Sequence, residues 1–233
     1  YEPTAQFHIP AGTNIAVRFD ARELYVFEPF RRLVLPKLVE KSDDKTKPTK
    51  LDQLRSETGV DLGNDLREVI VASGDGRSWV MLAGGRFLGG ARRGRFIQGY
   101  ETAMEKEPAF GEWTPTGDIL AGPAGMGVAQ ADDGTLIAAS TVDIAKAALP
   151  ATDDYRELYL ASSGAASFSI RRAALDHVTA AQRGTLPEVA VLDQIESITG
   201  WITLGERKSK LAMELAIRGD APGEKVAEGV DAL

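Results

Sequence analysis

Hydrophobic and polar positions alternate over "TNIAVRFDA", placing Ile15, Val17 and Phe19 on one face, and this predicts a half-buried strand. The period changes at Arg22. Leu24, Phe27, Phe30, Val34 and Leu38 then recur at helical spacing, with Pro29 able to open the main helix and Pro36 to kink or end it. A charged stretch holding Pro48, residues 40–59, reads as a solvated loop running into a short helix. Two β-rich runs then flank Gly74-Asp75-Gly76, the residues of a tight hairpin turn. A glycine-rich step (Gly89, Gly90, Gly94) leads into a helix bearing Phe96, Tyr100 and Ala103 on one side. A second hairpin is centred on Asp132-Asp133-Gly134, and a short helix follows with Thr141 or Ser140 as its N-cap.

The order of these patterns recurs. "VRFDAREL" (17–24) is echoed by "FSIRRAAL" (168–175), "DLREVIVA" (65–72) by "QIESITGW" (194–201), and "SWVMLAGGRF" (78–87) by "SKLAMELAIR" (209–218). Three echoes in one order imply an internal duplication. The expected organisation is a first α+β repeat over 1–150 and a second, shorter one over 151–233 packed against it. Each full unit reads β-α-β-β-α-β, the ferredoxin-like order. The expected fold is therefore α+β, with antiparallel sheet and helices packed on one side. The second unit has a helix counterpart in "GEKVAEGVDAL" (Val226, Val230, Leu233) but no last strand. Its open sheet edge is expected to be covered by segment 151–165 or used in a contact.

Composition narrows the class. The 233 residues are 43% hydrophobic, enough for a sizeable core, and the formal charge of −7 comes without a basic face. That combination excludes nucleic acid as an expected partner. The longest uncharged apolar stretch, around Ile119 to Ala131, is broken by Pro123 and glycines and is too short to span a bilayer. Cysteine is absent, which leans toward export into an oxidising compartment. The chain opens at Tyr1 rather than Met, and what is expected upstream is a signal peptide, a lipoprotein leader that could carry a lipid anchor, or a disordered leader.

"IPAGTNIAVRFDARELYVFEPF" (9–30), "DLREVIVASGDG" (65–76) and "ADDGTLIAASTVDIAKAAL" (131–149) resemble segments of exported bacterial proteins of unknown function. That resemblance implies a duplicated α+β architecture, often behind a lipoprotein signal. It supplies no catalytic site.

The chemistry-bearing motifs are mostly missing. The chain has no Gly-x-Ser-x-Gly elbow, His-Glu-x-x-His, phosphate-binding loop or dinucleotide fingerprint. With two histidines, His8 and His177, and no cysteine, neither a metal site nor a cofactor is expected. Asp43-Asp44, Asp132-Asp133 and Asp153-Asp154 lack the spaced acidic loop of a calcium site, and Asp132-Asp133 suits a hairpin turn. Ser42 and Lys45 have the spacing of some acyl enzymes but stand in a polar loop, where nothing would activate a nucleophile. Trp79, Trp113 and Trp201 are expected to pack in or on the sheet.

The one suggestive cluster is "GGRFLGGARRGRF" (84–96), in which Arg86, Arg92, Arg93 and Arg95 precede or open a helix and could hold an anion. The expectation is accordingly a non-catalytic exported module that binds a protein or another cell-envelope component. The alternative is an anion or small-molecule binder using those arginines.

Overall fold

The computed structural model describes residues 2–33, 49–87, 93–105, 111–161, 163–182, 192–205 and 208–219. The ends of the helical stripe at Val34, Pro36 and Leu38, the Ser42/Lys45 pair, Asp43-Asp44, Gly89 and Gly90, Arg92 and the helix expected over 223–233 lie outside them.

Among the described residues ten strands form one antiparallel sheet. They are β1 (Ile15–Asp20), β2 (Leu66–Ser73), β3 (Val80–Gly85), β4 (Thr114–Thr116), β5 (Ile119–Ala121), β6 (Gly127–Gln130), β7 (Leu136–Ala139), β8 (Ala166–Arg171), β9 (Ile195–Thr203) and β10 (Lys210–Ile217), in the spatial order β10-β9-β8-β1-β2-β3-β7-β6-β5-β4. The helices are α1 (Ala21–Val26), α2 (Glu28–Leu33), α3 (Lys50–Thr58), α4 (Leu62–Asp65), α5 (Arg93–Glu105), α6 (Val142–Ala148) and α7 (Arg172–Gln182).

Local chemistry sets several boundaries. Asp20 ends β1 and caps α1 by accepting the Glu23 N–H at 2.9 Å. Extended backbone at Phe27 separates α1 from α2, which carries Pro29 in its first turn. Thr49 and Asp52 form a reciprocal capping box at the start of α3. Thr141 caps α6 through the Ile144 N–H. The hairpins fall at the predicted turns, β2–β3 around 74–79 and β6–β7 around 131–135.

The ferredoxin-like order is not what forms. In that topology the first two strands are parallel, with the third between them. Here β1 pairs directly and antiparallel with β2, from Ile15↔Ser73 to Asp20↔Glu68. The segment bearing α1 to α4 therefore leaves and re-enters the sheet at the same end and makes no crossover. β8 takes the other side of β1, with Val17 opposite Phe168. Around that pair the strands run β3-β2-β1 one way and β10-β9-β8 the other.

Helices also pack on both faces rather than one. Ile137 and Ala139 of β7 join Ala16, Ile70, Ala72, Val80 and Leu82 in a core closed by Ala145 and Ala148 of α6 and by Ala5, Ile9 and Leu158. The alternate residues Leu136 and Ala138 point the other way, toward Phe96 and Tyr100 of α5, with Val128, Phe87 and Trp113. Strands buried on both sides attract helices to both sides. α5 lies on α3 at backbone contact, because a Cβ on Gly99 would collide with the Glu57 carbonyl oxygen. On that same second face Leu175 of α7 packs with Ile170, Ile198, Leu215 and Ile217.

Segment 151–165 does not reach the outer edge of β10. Its backbone instead meets the chain near β1 and β8: Thr152 N–H donates to the Phe7 carbonyl at 2.7 Å, and the Ala165 carbonyl accepts the Asp20 N–H at 2.9 Å. Among the described residues no strand lies beyond β10.

Candidate functional site

Three of the four arginines of the 84–96 segment fall among the described residues. Arg86 follows β3 as an exposed residue whose backbone N–H donates to the Asp65 carbonyl at 2.9 Å. Arg93 and Arg95 lie in the first turn of α5, and Arg92 lies outside the described residues. A cleft of about 500 Å³ elsewhere does contain arginines, Arg171 and Arg172. Both are engaged within the chain: Arg171 pairs with Glu157 at 2.7 Å, and Arg172 with Asp193 at 3.2 Å and with Asp176. That internal pairing leaves the cleft poorly suited to an anion.

The sheet itself carries the most distinctive surface. Cross-strand partners trace a single row over eight strands: Val128, Ala138, Met81, Val71, Val17, Phe168, Gly200 and Met213. Directly opposed residues share a face, so every member of this row points to the same side. The neighbouring row on that side reads Leu136, Ala83, Val69, Phe19, Ala166, Ile202 and Leu211. Neither row contains a charged residue.

Helix α5 covers the Val128 end of these rows. Farther along, Val71, Met81, Leu211 and Met213 are exposed by 37%, 41%, 58% and 53%, and Val17, Phe19, Val69, Phe168 and Ile202 are half-buried. The result is an apolar band across six strands, on one side of one sheet, that the described residues leave partly exposed. Soluble proteins seldom leave a contiguous apolar patch uncovered without a use for it. Gly200 keeps the band level under the Phe168 ring, since a Cβ there would lie 2.5 Å from Phe168 Cζ.

The band could not be read from the sequence, because its members come from strands that neighbour one another only after β8 docks on β1. Each strand's apolar run was legible. Which side would stay partly exposed was not.

A second arrangement also escaped the sequence. His8, which the sequence offers only as one of two isolated histidines, is buried in the 3-10 turn Ala5–His8. Its Nδ1 lies 2.8 Å from the Ala148 carbonyl oxygen at the end of α6, and its Nε2 3.1 Å from Asp133 Oδ2 in the β6–β7 turn. Both ring nitrogens face acceptors, and only the doubly protonated imidazolium can donate to both. Burial pulls the His8 pKa down, but the bonds to Asp133 and Ala148 outweigh it, and the value sits above the ordinary 6.5. Burial raises the Asp133 pKa, whereas His8 and the Thr135 N–H lower it more strongly, to about 2. Asp133 is therefore part of a clamp as well as a turn residue. The separation of 125 residues hides this pairing from any local motif.

His177, by contrast, is an exposed residue of α7, and Asp176 beside it bonds Arg172. Trp113 packs edge-on to Tyr100 at 5.3 Å, while Trp79 and Trp201 are half-buried at the sheet. Among the described residues no group of His, Asp and Glu could hold a metal ion, and no helix is long and apolar enough to cross a membrane.

No protein-family model and no curated protein matches this chain. Two solved structures resemble it, both of the Treponema protein TP0453. Crystal form III aligns with a TM-score of 0.53 and crystal form I with 0.50, each at 8% sequence identity over 99% of this chain and 86% of that one. At that identity the likeness concerns architecture: the chain shares with TP0453 an α+β fold built on a single large antiparallel sheet.

Proposed function

We propose that this protein is a non-catalytic interaction module of the exported class, which engages a protein partner or another envelope component through the partly exposed apolar face of its sheet. The observation that carries this reading is the alignment of Val71, Met81, Leu211 and Met213 on one face, in rows without a charged residue. Apolar surface of this kind gains free energy when a partner removes it from water. A cysteine-free composition agrees with function outside the reducing cytosol. The mirrored strand triplets about Val17 and Phe168 support descent from a duplicated strand-helix-hairpin unit.

A photoreactive residue placed at Met81 tests the reading. In envelope extract it should capture a discrete adduct that the same residue at the exposed turn position Arg77 does not. Equal labelling at both positions would refute it. The competing reading, an anion site at Arg86, Arg92, Arg93 and Arg95, makes a different forecast: anionic metabolites would raise the melting midpoint, and the Arg92→Ala/Arg93→Ala variant would abolish the rise.

A further inference from the structure

The two edges of the sheet differ in kind. At one end β4 is three residues long and has Pro115 at its centre. A short strand containing proline cannot offer a continuous ladder to another chain. At the other end β10 runs eight residues, Lys210–Ile217, with no proline and with no strand on its outer side among the described residues. Apart from a register shift at Ala216/Ile217 and the two charges Lys210 and Glu214, the strand offers a continuous edge. Its exposed apolar residues, Leu211 and Met213, project on the apolar face, while Lys210 and Glu214 project on the opposite face.

We infer that two copies of this chain associate through β10, pairing antiparallel about Ala212 so that their sheets join into one. The register follows from the charges. A twofold axis normal to the sheet preserves each face, so residues facing one another across the join occupy the same side. Centring the axis on residue 210 sets Lys against Lys, and centring it on 214 sets Glu against Glu. With the axis at 211 Glu214 meets Lys208 but Lys210 meets Ala212, and with the axis at 213 Glu214 meets Ala212.

An axis at Ala212 brings each Lys210 opposite Glu214 of the second copy, and each Leu211 opposite Met213 of the second copy. Both charged residues of the strand then meet an opposite charge. Neither is engaged in an ion pair with another described residue of its own chain. On the other face the apolar rows become continuous from one copy to the next, so the two most exposed apolar side chains of β10 cover one another. Strand addition of this kind satisfies the free N–H and C=O groups of the edge at the same time.

The charges supply the test, which is sedimentation of the purified protein across a range of concentrations. The unmodified chain should show a reversible monomer–dimer equilibrium. Lys210→Glu or Glu214→Lys alone sets like charges opposite one another at two symmetric places and should weaken the dimer roughly tenfold. The double exchange Lys210→Glu/Glu214→Lys should restore it.

Because the native chain has no cysteine, Ala212→Cys provides a second readout. Opposed Cα atoms about 4.5–5.5 Å apart in an antiparallel pair suit a disulfide, so mild oxidation should link two copies. Leu211→Cys should not link to itself but should link to Met213→Cys in a mixture. A chain that stays monomeric at every concentration would overturn the proposal. A dimer indifferent to the charge exchange, or one in which Ala212→Cys fails to cross-link, would do so equally.

Discussion

The His8 clamp predicts a pH-dependent stability with a definite sign. His8 has a folded-state pKa above 6.5, so its contribution is complete below 6.5 and is lost as pH rises through the folded value. Asp133 is lowered from 3.8 to about 2, so its contribution is present above 3.8 and is lost as pH falls toward 2. The two shifts describe one interaction, strongest from about pH 4 to 6.5. At about 1.4 kcal/mol per pH unit, the Asp133 change amounts to roughly 2 kcal/mol. The Asp133 side chain is 31% exposed, and solvent screening reduces the figure to about 1 kcal/mol.

Asp133→Asn is the perturbation of choice, because the remaining side-chain oxygen can still accept the Thr135 N–H that Asp133 now holds at 2.9 Å. Urea unfolding of the wild type and variant at pH 5.5 and pH 9 should show a loss of about 1 kcal/mol at the lower pH and a clearly smaller one at the higher. Above its folded pKa, His8 has a single proton for two acceptors, so part of the clamp is already gone. A loss of equal size at both pH values would refute the ionic reading, and a larger loss at pH 9 would reverse its sign.

The buried pair Arg18–Glu68 should behave differently. Glu68 is 1% exposed, accepts Arg18 Nε–H at 2.8 Å and takes the Ala5 N–H at 3.2 Å, so Glu68→Ala should cost about 3–5 kcal/mol in urea unfolding. Replacing both charges, as in Arg18→Met/Glu68→Leu, should recover most of that, and a double variant as unstable as the single one would contradict the argument. Gly200→Ala should destabilise by about 1–3 kcal/mol, because its Cβ would stand 2.5 Å from Phe168 Cζ and 2.8 Å from the Ala212 carbonyl oxygen. Adding Phe168→Leu should relieve part of the effect, and a Gly200→Ala protein with an unchanged unfolding midpoint would show that the ring moves freely.

Local elements were legible in the sequence wherever one residue type settles the geometry. The Gly74-Asp75-Gly76 and Asp132-Asp133-Gly134 turns, the Thr141 cap and the Phe96/Tyr100 helix all fall where pattern places them. The sheet order was not legible. Val69, Ile70, Val71 and Ala72 make β2 apolar on both sides, and such a strand fits beside β1 or beside β3 equally well. A β-α-β-β succession is likewise compatible with a crossover and with a return to the same end, and only pairing distinguishes them. Helix placement failed for the same reason: the alternate residues of β7 ask for cover on both sides. The arginine segment drew notice by composition, whereas the apolar band needed register.

The position of β1 has a consequence for how the chain acquires its structure. This strand is the first of the ten along the chain yet occupies the interior of the sheet, between β2 and β8. Its pairing with β8 closes a loop from Val17 to Phe168, one of the longest connections in the molecule. Contacts so distant along the chain cost closure entropy before they return any energy, which slows folding. During synthesis β1 remains an open edge until β8 has emerged, and a polypeptide stopped near residue 150 would keep that edge unpaired. Slow completion leaves the β1 edge open for longer, and it makes truncated products the species most prone to pair with one another.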